Sequence, residues 1–199
     1  MRTEAVFLAT SNRGKVLEVK EILGIILPKL HVYSLQDYPK LEKPIDECGT
    51  SYHENAYIKA KAYLDNPGHW PTIADDSGLE VAAFPGLLGL HSARWCENPQ
   101  LTKCEALHAK LQNATDRSLV FHTTFCYLEP DTKPQFFDHD LRGRAADVLA
   151  GGDGFDYDPI FVPEGFDLTY AQLGQDVKNR ISQRRRALEA LAAYISEGE

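Results

Sequence analysis

The stretch from Ile73 to Val81, IADDSGLEV, constrains the fold and chemistry of this chain more than any other. Two adjacent carboxylates, Asp75 and Asp76, follow a short apolar run and precede a Ser-Gly pair that predicts a turn. On an extended backbone neighbouring side chains point to opposite faces, so one carboxylate can face a site while the other anchors the chain. Such a pair suits Mg²⁺, and a carboxylate beside the metal can orient or deprotonate a water. A polar turn between two strands accounts for the same residues without any chemistry.

The charge and composition of the chain exclude several classes of function. Its 199 residues include 21 basic and 29 acidic residues, a net charge of −8 that disfavours generic binding to nucleic acid or anionic membrane. No apolar run is long enough to span a bilayer or to serve as a signal peptide, and the four cysteines lack metal-site spacing. We therefore expect a cytoplasmic protein that binds neither nucleic acid nor membrane. The net negative charge does not exclude a small anionic ligand bound by a few cations.

The N-terminal segment predicts a strand, a polar loop and a helix. Residues 5–9 form an apolar run, residues 10–15 (TSNRGK) interrupt it, and apolar residues with helical spacing follow. This order directs backbone N–H groups and a helix N-terminus at phosphate, and Arg13 and Lys15 would add positive charge. The segment is not a Walker loop, which requires other residues at Ala9 and Val16. The alternative is a polar capping loop with a solvated lysine.

A second helix is predicted to begin after Ser51. Ser51 and Glu54 have the spacing of a capping box, and Lys59 on the same helix could reach a site near its start. The alternative for Lys59 is a solvent-facing side chain. Asp46-Glu47, just before this helix, are candidate outer ligands of a metal.

The middle of the chain predicts further strands and a helix. Asn98-Pro99 has the composition of a helix start. Residues 119–128 are rich in β-branched and aromatic residues, which predicts a central strand, and residues 136–149 predict another with a bend or bulge at 142–144.

Two later segments combine unusual composition with charge. Residues 151–158 (GGDGFDYD) contain three glycines and two aromatics, which could stack on a nucleobase or pack in the core. Residues 178–184 (KNRISQR) precede a terminal helix for which Ser182 is a suitable N-cap. Cations before a helix N-terminus oppose the helix dipole, so an anion bound between them would explain the arrangement.

Six motifs in this order resemble the inosine triphosphate pyrophosphatase family, also called the Ham1 family, over nearly the whole chain. They are residues 9–15 (ATSNRGK), 54–59 (ENAYIK), 74–79 (ADDSGL), 92–94 (SAR), 154–161 (GFDYDPIF) and 178–184 (KNRISQR). The resemblance implies an α/β fold with a long mixed β-sheet flanked by helices. It further implies one domain over residues 1–199, with two lobes and a central active-site cleft, and a homodimer.

The function that the resemblance implies is Mg²⁺-dependent hydrolysis of deaminated purine nucleoside triphosphates. ITP, dITP and XTP would be cut to the monophosphate and pyrophosphate, which cleanses the nucleotide pool before incorporation into DNA or RNA. Asp76 would be the catalytic proton acceptor, and the metal ligands would be Asp76, Asp75 and Glu47. The substrate-binding residues would be Thr10, Ser11, Asn12, Arg13, Gly14, Lys15, Lys59, Ser77, Phe155, Asp156, Tyr157, Asp158, Lys178, Gln183 and Arg184.

These positions have different implied roles. Residues 10–15, Lys59 and Lys178 would bind phosphate, residues 155–158 would enclose the base, and Gln183 and Arg184 would read its edge. Two positions depart from the family pattern, which has glycine at 156 and histidine at 183, and both departures bear on base preference. A Maf-type pyrophosphatase acting on pyrimidine or modified nucleotides, and a nucleotide sensor without catalysis, are the alternative functions.

Overall fold

The computed structural model describes residues 3–96, 98–152 and 157–197. The chain divides into two compact units. The first unit comprises Met1–Asp76, Thr123–His139 and Arg184–Glu199, and the second comprises Ser77–His122 and Asp140–Gln183. Within the described residues, no helix has the length and apolar character needed to cross a membrane.

Six strands form one mixed sheet in the described residues. They are β1 (Ala5–Leu8), β2 (His31–Ser34), β3 (Thr72–Val81), β4 (Ser118–Leu128), β5 (Gln135–Ala145) and β6 (Phe161–Pro163), in the order β2-β1-β3-β4-β5-β6. Strand β1 is parallel to β2 and β3, with Phe7 opposite both Tyr33 and Thr72, whereas β5 and β6 are antiparallel. The predicted α/β class with a mixed sheet is therefore confirmed.

The helices alternate with these strands along most of the chain. They are α1 (Arg13–Ile26), α2 (Tyr52–Ala62), α3 (Lys103–Leu111), α4 (Tyr170–Leu173), α5 (Gln175–Ile181) and α6 (Gln183–Glu197), with short 3₁₀ turns at Pro39–Leu41 and Gly89–His91. Helix α6 begins directly after Ser182, whose backbone is extended, as the sequence predicts.

The strands of the first unit alternate between two hydrophobic cores. The core that includes residues of α1 and α6 contains Val6, Leu8, Ile73, Phe125 and Tyr127. The core that includes residues of α2 contains Phe7, Ala9, Ala74, Cys126 and Leu128. Because successive strand side chains point to opposite faces, Asp75 continues the first series and Asp76 the second.

The second unit has a separate core. It combines buried side chains of β3, α3, β6 and α4, among them Leu79, Leu107, Leu111, Phe161 and Tyr170. The strand predicted over residues 136–149 ends earlier, at Ala145, and the predicted bend or bulge at 142–144 is wrong, because Gly143 to Ala145 pair with β6 in consecutive register. A Cβ at position 143 would lie 2.4 Å from the carbonyl oxygen of Val162, so close approach of two strands explains the glycine.

Two other local predictions need correction. The Ser-Gly pair after the two aspartates forms no turn, because β3 continues to Val81. The helix near Asn98-Pro99 begins later, at Lys103, and is capped by Thr102. At the start of α2 the Ser51 side chain accepts from the Glu54 N–H as predicted, and the Glu54 carboxylate accepts from the N–H and hydroxyl of Thr50.

Candidate active site

The two faces of β3 give the adjacent aspartates different partners. An Asp75 oxygen lies 2.6 Å from Lys15 Nζ and 3.8 Å from an Arg184 nitrogen, on the face of α1 and α6. On the face of α2, Asp76 Oδ1 accepts from Lys59 Nζ at 2.9 Å and Asp76 Oδ2 accepts from Asn55 Nδ2 at 3.3 Å. The structure thus brings the predicted acids and lysines of the first unit together.

The segment after β1 forms the N-terminal end of α1. Asn12 is the N-cap, and its side-chain oxygen accepts from the Lys15 N–H at 3.1 Å, while Thr10 Oγ1 accepts from the Asn12 N–H at 3.3 Å. The first turn has no acidic residue and contains Arg13 and Lys15. A helix N-terminus carries partial positive charge and backbone N–H groups without intrahelical acceptors. This end of α1 therefore suits phosphate, with residues 10–15 in the predicted place.

Asp75 is held in its charged form. Its side chain is 1% exposed. Burial alone raises a carboxyl pKa, but the charges of Lys15, Arg184 and Lys59 outweigh burial and place the pKa of Asp75 well below its ordinary value. A carboxylate with this environment is a fixed counter-charge for Lys15 and Arg184 and a poor proton acceptor.

Asp76 has the opposite electrostatic environment. Burial raises the pKa of the Asp76 carboxyl above its ordinary value, and the negative charge of Asp75 acts in the same direction. The positive charge of Lys59 opposes this shift without cancelling it. A carboxylate with a raised pKa is the better proton acceptor of the pair, which agrees with the predicted catalytic role of Asp76.

Lys59 lies between two carboxylates. Its Nζ is 2.9 Å from Asp76 and 2.8 Å from Glu47 Oε2. Burial lowers the pKa of this ammonium, but the charges of Asp76, Asp75 and Glu47 outweigh burial and raise the pKa above its ordinary value. The alternative of a solvent-facing lysine is therefore wrong.

The donor set around Lys59 fits Mg²⁺. Asp76 and Glu47 each direct a carboxylate oxygen at the same cation, Lys59 Nζ. Mg²⁺ is commonly bound by one or two carboxylates together with waters and substrate phosphates. Within the described residues, no group of three or more His, Cys, Asp or Glu side chains could hold a metal ion. Asp75 lies on the other face of β3, so its role as a ligand stays a prediction.

Sequence reasoning missed Glu18, a buried acid on α1. Its carboxylate accepts a short hydrogen bond from Arg184, and its Oε1 has no hydrogen-bond partner within the described residues. A signal was available, because Glu18 lies four residues before Ile22 and therefore on the same side of α1 as this buried apolar position. A charge at such a position requires a buried partner.

The second unit contains another buried ion pair. Lys178 Nζ donates to Asp158 Oδ2 at 2.6 Å, and both side chains are largely buried. The neighbouring Tyr157 hydroxyl donates to the Ser92 carbonyl and accepts from Trp95 Nε1, each at 2.6 Å. Tyr157 and Asp158 are thus fixed by Trp95, Ser92 and Lys178, partners that the motifs alone did not reveal.

Four predicted substrate-binding residues remain, of which two lie within the described residues. Ser77 is half-buried in β3, and Gln183 is the buried first residue of α6. Gln183 Oε1 has no hydrogen-bond partner among the described residues, which leaves an acceptor for a ligand. Phe155 and Asp156 lie outside the described residues.

Comparison with known proteins shows the family of the chain. The model of the Ham1 family matches residues 6–194. A dITP/XTP pyrophosphatase of Staphylococcus aureus (strain MRSA252) is 36% identical over 193 residues, which cover 96% of each chain. The solved Ham1 protein of Staphylococcus aureus has a TM-score of 0.83 and 33% identity, covering 98% of this chain and 100% of that one. A HAM1 protein from Coxiella burnetii has a TM-score of 0.83 and 31% identity, covering 99% and 100%. The resemblance carried by the six motifs is confirmed, and the chain belongs to the Ham1 family.

Proposed function

We propose that this protein hydrolyses dITP, XTP and ITP to the nucleoside monophosphate and pyrophosphate. The observation that carries the proposal is the difference between the two adjacent aspartates on β3, which lie on opposite faces of the strand and have opposite pKa shifts. Asp75 is a permanent counter-charge, whereas Asp76 has a raised pKa and lies beside Lys59 and Glu47. Membership of a family whose relative in Staphylococcus aureus is a dITP/XTP pyrophosphatase supports the reaction type.

Asp76 accepts the proton of the attacking water. The water oxygen bonds to the phosphorus on one side of the α–β linkage, that linkage breaks, and its bridging oxygen leaves with the electron pair on the other product, which gives the monophosphate and pyrophosphate. Lys15, Lys59 and the N-terminus of α1 supply positive charge for the phosphate oxygens. Mg²⁺ held by Asp76 and Glu47 would neutralise charge that develops as the linkage breaks. The same reaction cleanses the nucleotide pool of deaminated purines.

Arg184 and Gln183 distinguish the base. Arginine only donates hydrogen bonds, so Arg184 favours a base with a 6-oxo acceptor over adenine, whose 6-amino group is a donor. An unpaired buried donor costs far more than a missing methylene, which makes this a strong discrimination. The pairing of Arg184 with Glu18 and Asp75 holds the guanidinium in one orientation.

A substrate panel tests the proposed function. Purified protein with magnesium is given dITP, XTP, ITP, ATP, GTP, dTTP and UTP, and pyrophosphate and orthophosphate are measured separately. We expect pyrophosphate from the first three substrates and none after EDTA is added. Preference for dTTP or UTP would favour a Maf-type activity, and absence of hydrolysis would favour a sensor.

The assembly and location of the enzyme belong to the same proposal. We propose a homodimer, as the resemblance implies, and a cytoplasmic location, as the composition of the sequence indicates. Light scattering coupled to size-exclusion chromatography should give a mass of about twice the 22.3 kDa of the chain. A monomeric mass at micromolar concentration would contradict the dimer.

A further inference from the structure

Asn55 joins two parts of the candidate site through the two ends of its side-chain amide. We propose that Asn55 is a positioning residue, which orients the Asp76 carboxylate and ties to it the segment that carries Glu47. This proposal rests on the proposed function, because it concerns the geometry of the same reaction. Asn55 itself contacts neither the water nor the phosphates in the mechanism above.

The first contact fixes the Asp76 carboxylate. Asn55 Nδ2 donates to Asp76 Oδ2 at 3.3 Å, while Lys59 Nζ donates to Asp76 Oδ1 at 2.9 Å. Asn55 and Lys59 are four residues apart on α2, so they lie on the same face of the helix. Each Asp76 oxygen therefore has its own donor from α2, which restricts rotation of the carboxylate about its final bond.

The second contact reaches the segment before α2. Asn55 Oδ1 accepts from the Gly49 N–H at 2.9 Å. A Cβ at Gly49 would lie 2.7 Å from this same Oδ1, so the close approach requires glycine. Because a backbone N–H can only donate, it fixes the orientation of the amide and directs the NH₂ group at Asp76.

The two contacts belong to a closed ring. Gly49 follows Glu47 by two residues, and Glu47 contacts Lys59, which contacts Asp76 in turn. Asn55 closes this ring from Asp76 back to Gly49. Since Asn55 is 3% exposed, water cannot readily replace either contact. Only a side chain with both a donor and an acceptor completes the ring.

Two variants of Asn55 and a matched control test this role. Asn55→Leu removes both hydrogen bonds with a side chain of the same branched shape, and Asn55→Gln keeps both groups on a longer side chain. Asn66 is equally suited as a control, because it is 1% exposed and its amide bonds to the backbone of Tyr63 and Trp70. The experiment measures kcat and KM for ITP, the Mg²⁺ concentration for half-maximal rate, and the thermal midpoint.

The expected pattern separates positioning from stability. Asn55→Leu should lower kcat about tenfold or more with little change in KM, because misplacement of the reacting groups costs rate and not ground-state binding. It should also raise the Mg²⁺ requirement severalfold, since the Glu47 segment is released. Asn55→Gln should recover part of kcat. Asn66→Leu should lower the thermal midpoint and leave kcat within about twofold, since its contacts are structural.

Several results would overturn the proposal. Folded Asn55→Leu with wild-type kcat and Mg²⁺ requirement is one, and equal loss of kcat in Asn66→Leu is another. If Asn55→Leu does not fold, Asn55→Ala decides, because it also removes both hydrogen-bonding groups, and wild-type kinetics in that variant contradict the role. Wild-type protein that releases no pyrophosphate overturns the proposed function itself, whereas an active wild type with an equally active Asn55→Leu overturns only the positioning role.

Discussion

Asp75 and Asp76 are neighbours on β3, yet the pKa of the Asp75 carboxyl lies below its ordinary value and that of Asp76 lies above it. Both are buried, and burial raises both pKa values. The difference comes from the cations, because Asp75 is surrounded by Lys15, Arg184 and Lys59, whereas Lys59 alone is the main compensating charge at Asp76. Two acids with opposite shifts can divide the work between charge stabilisation and proton transfer.

Asp76→Asn should abolish most of the activity without unfolding the protein. The amide cannot accept the proton of the attacking water, and general base catalysis contributes about 10²- to 10⁴-fold to rate. We expect kcat for ITP to fall by that range, with a circular dichroism spectrum like that of the wild type. Pyrophosphate release at the wild-type rate would exclude Asp76 as the base.

Asp75→Asn should instead lower stability. The change removes the buried counter-charge of Lys15 and one of the carboxylates that face Arg184, and loss of one partner of a buried pair costs about 3 kcal/mol or more. The free energy of unfolding, from urea titration at pH 7, should fall by about that amount. An Asp75→Asn protein as stable as the wild type would contradict the counter-charge role.

The pH dependence of stability checks the sign of the Asp75 shift. A carboxyl with a lowered folded-state pKa stabilises the protein above its unfolded pKa of about 3.9 and loses that contribution as pH falls through the folded value. The stability difference between the wild type and Asp75→Asn should therefore be constant from about pH 5 to 7 and shrink below about pH 4. A difference that grows on acidification would reverse the assigned shift.

Much of the fold could be predicted from the sequence. Apolar runs at residues 5–9 and 119–128 became β1 and β4, and the stripe containing Val16, Val19 and Leu23 became the buried face of α1. Local turn chemistry was less reliable. Ser77-Gly78 predicts a turn by composition, but β3 pairs with neighbouring strands, and this tertiary context overrides the local preference.

Arg184→Met should weaken the preference for 6-oxo purines. The ratio of kcat/KM for ITP to that for ATP should fall by about tenfold or more, because the donor to the 6-oxo group is lost. Arg185→Met is the matched control, since Arg185 pairs with Glu189 one turn along α6. The control should leave the ratio within about twofold, as partly exposed pairs contribute little. An unchanged ratio in Arg184→Met would remove Arg184 from base reading.

The sequence identified residues of the candidate site but not which of them contact each other. The motifs assigned Asp75, Asp76, Lys15 and Lys59 to one phosphate- and metal-binding site, and the structure brings these four residues together. Which lysine faces which aspartate depends on the packing of α1 and α2 on opposite faces of β3, a long-range property that spacing along the chain does not determine. The position of Glu18 on a buried side of α1 could be read from the sequence, but its pairing with Arg184 depends on the same long-range packing.

Glu47→Gln should raise the magnesium requirement more than it lowers the maximal rate. The amide keeps an oxygen but loses the charge that Mg²⁺ favours, so the half-saturating Mg²⁺ concentration should rise about fivefold or more. The rate at saturating Mg²⁺ should stay within about threefold of the wild type, because Asp76 is intact. Asp46→Asn, at the exposed neighbouring position, should change neither quantity. Equal magnesium curves for Glu47→Gln and the wild type would exclude Glu47 as a ligand.

The cysteines report on the fold independently of the reaction. Cys48 is exposed, Cys96 is half-buried, and Cys104 and Cys126 are buried. Burial raises the pKa of the Cys126 thiol to about 12, and a thiol reacts through its thiolate. In the native protein at pH 8, a disulfide reagent should therefore modify Cys48 rapidly, Cys96 more slowly, and the two buried thiols only after denaturant is added. Cys48→Ser should abolish the fast phase. Rapid modification of Cys126 in the native protein, located by peptide mass spectrometry, would contradict its burial in the core that includes residues of α2.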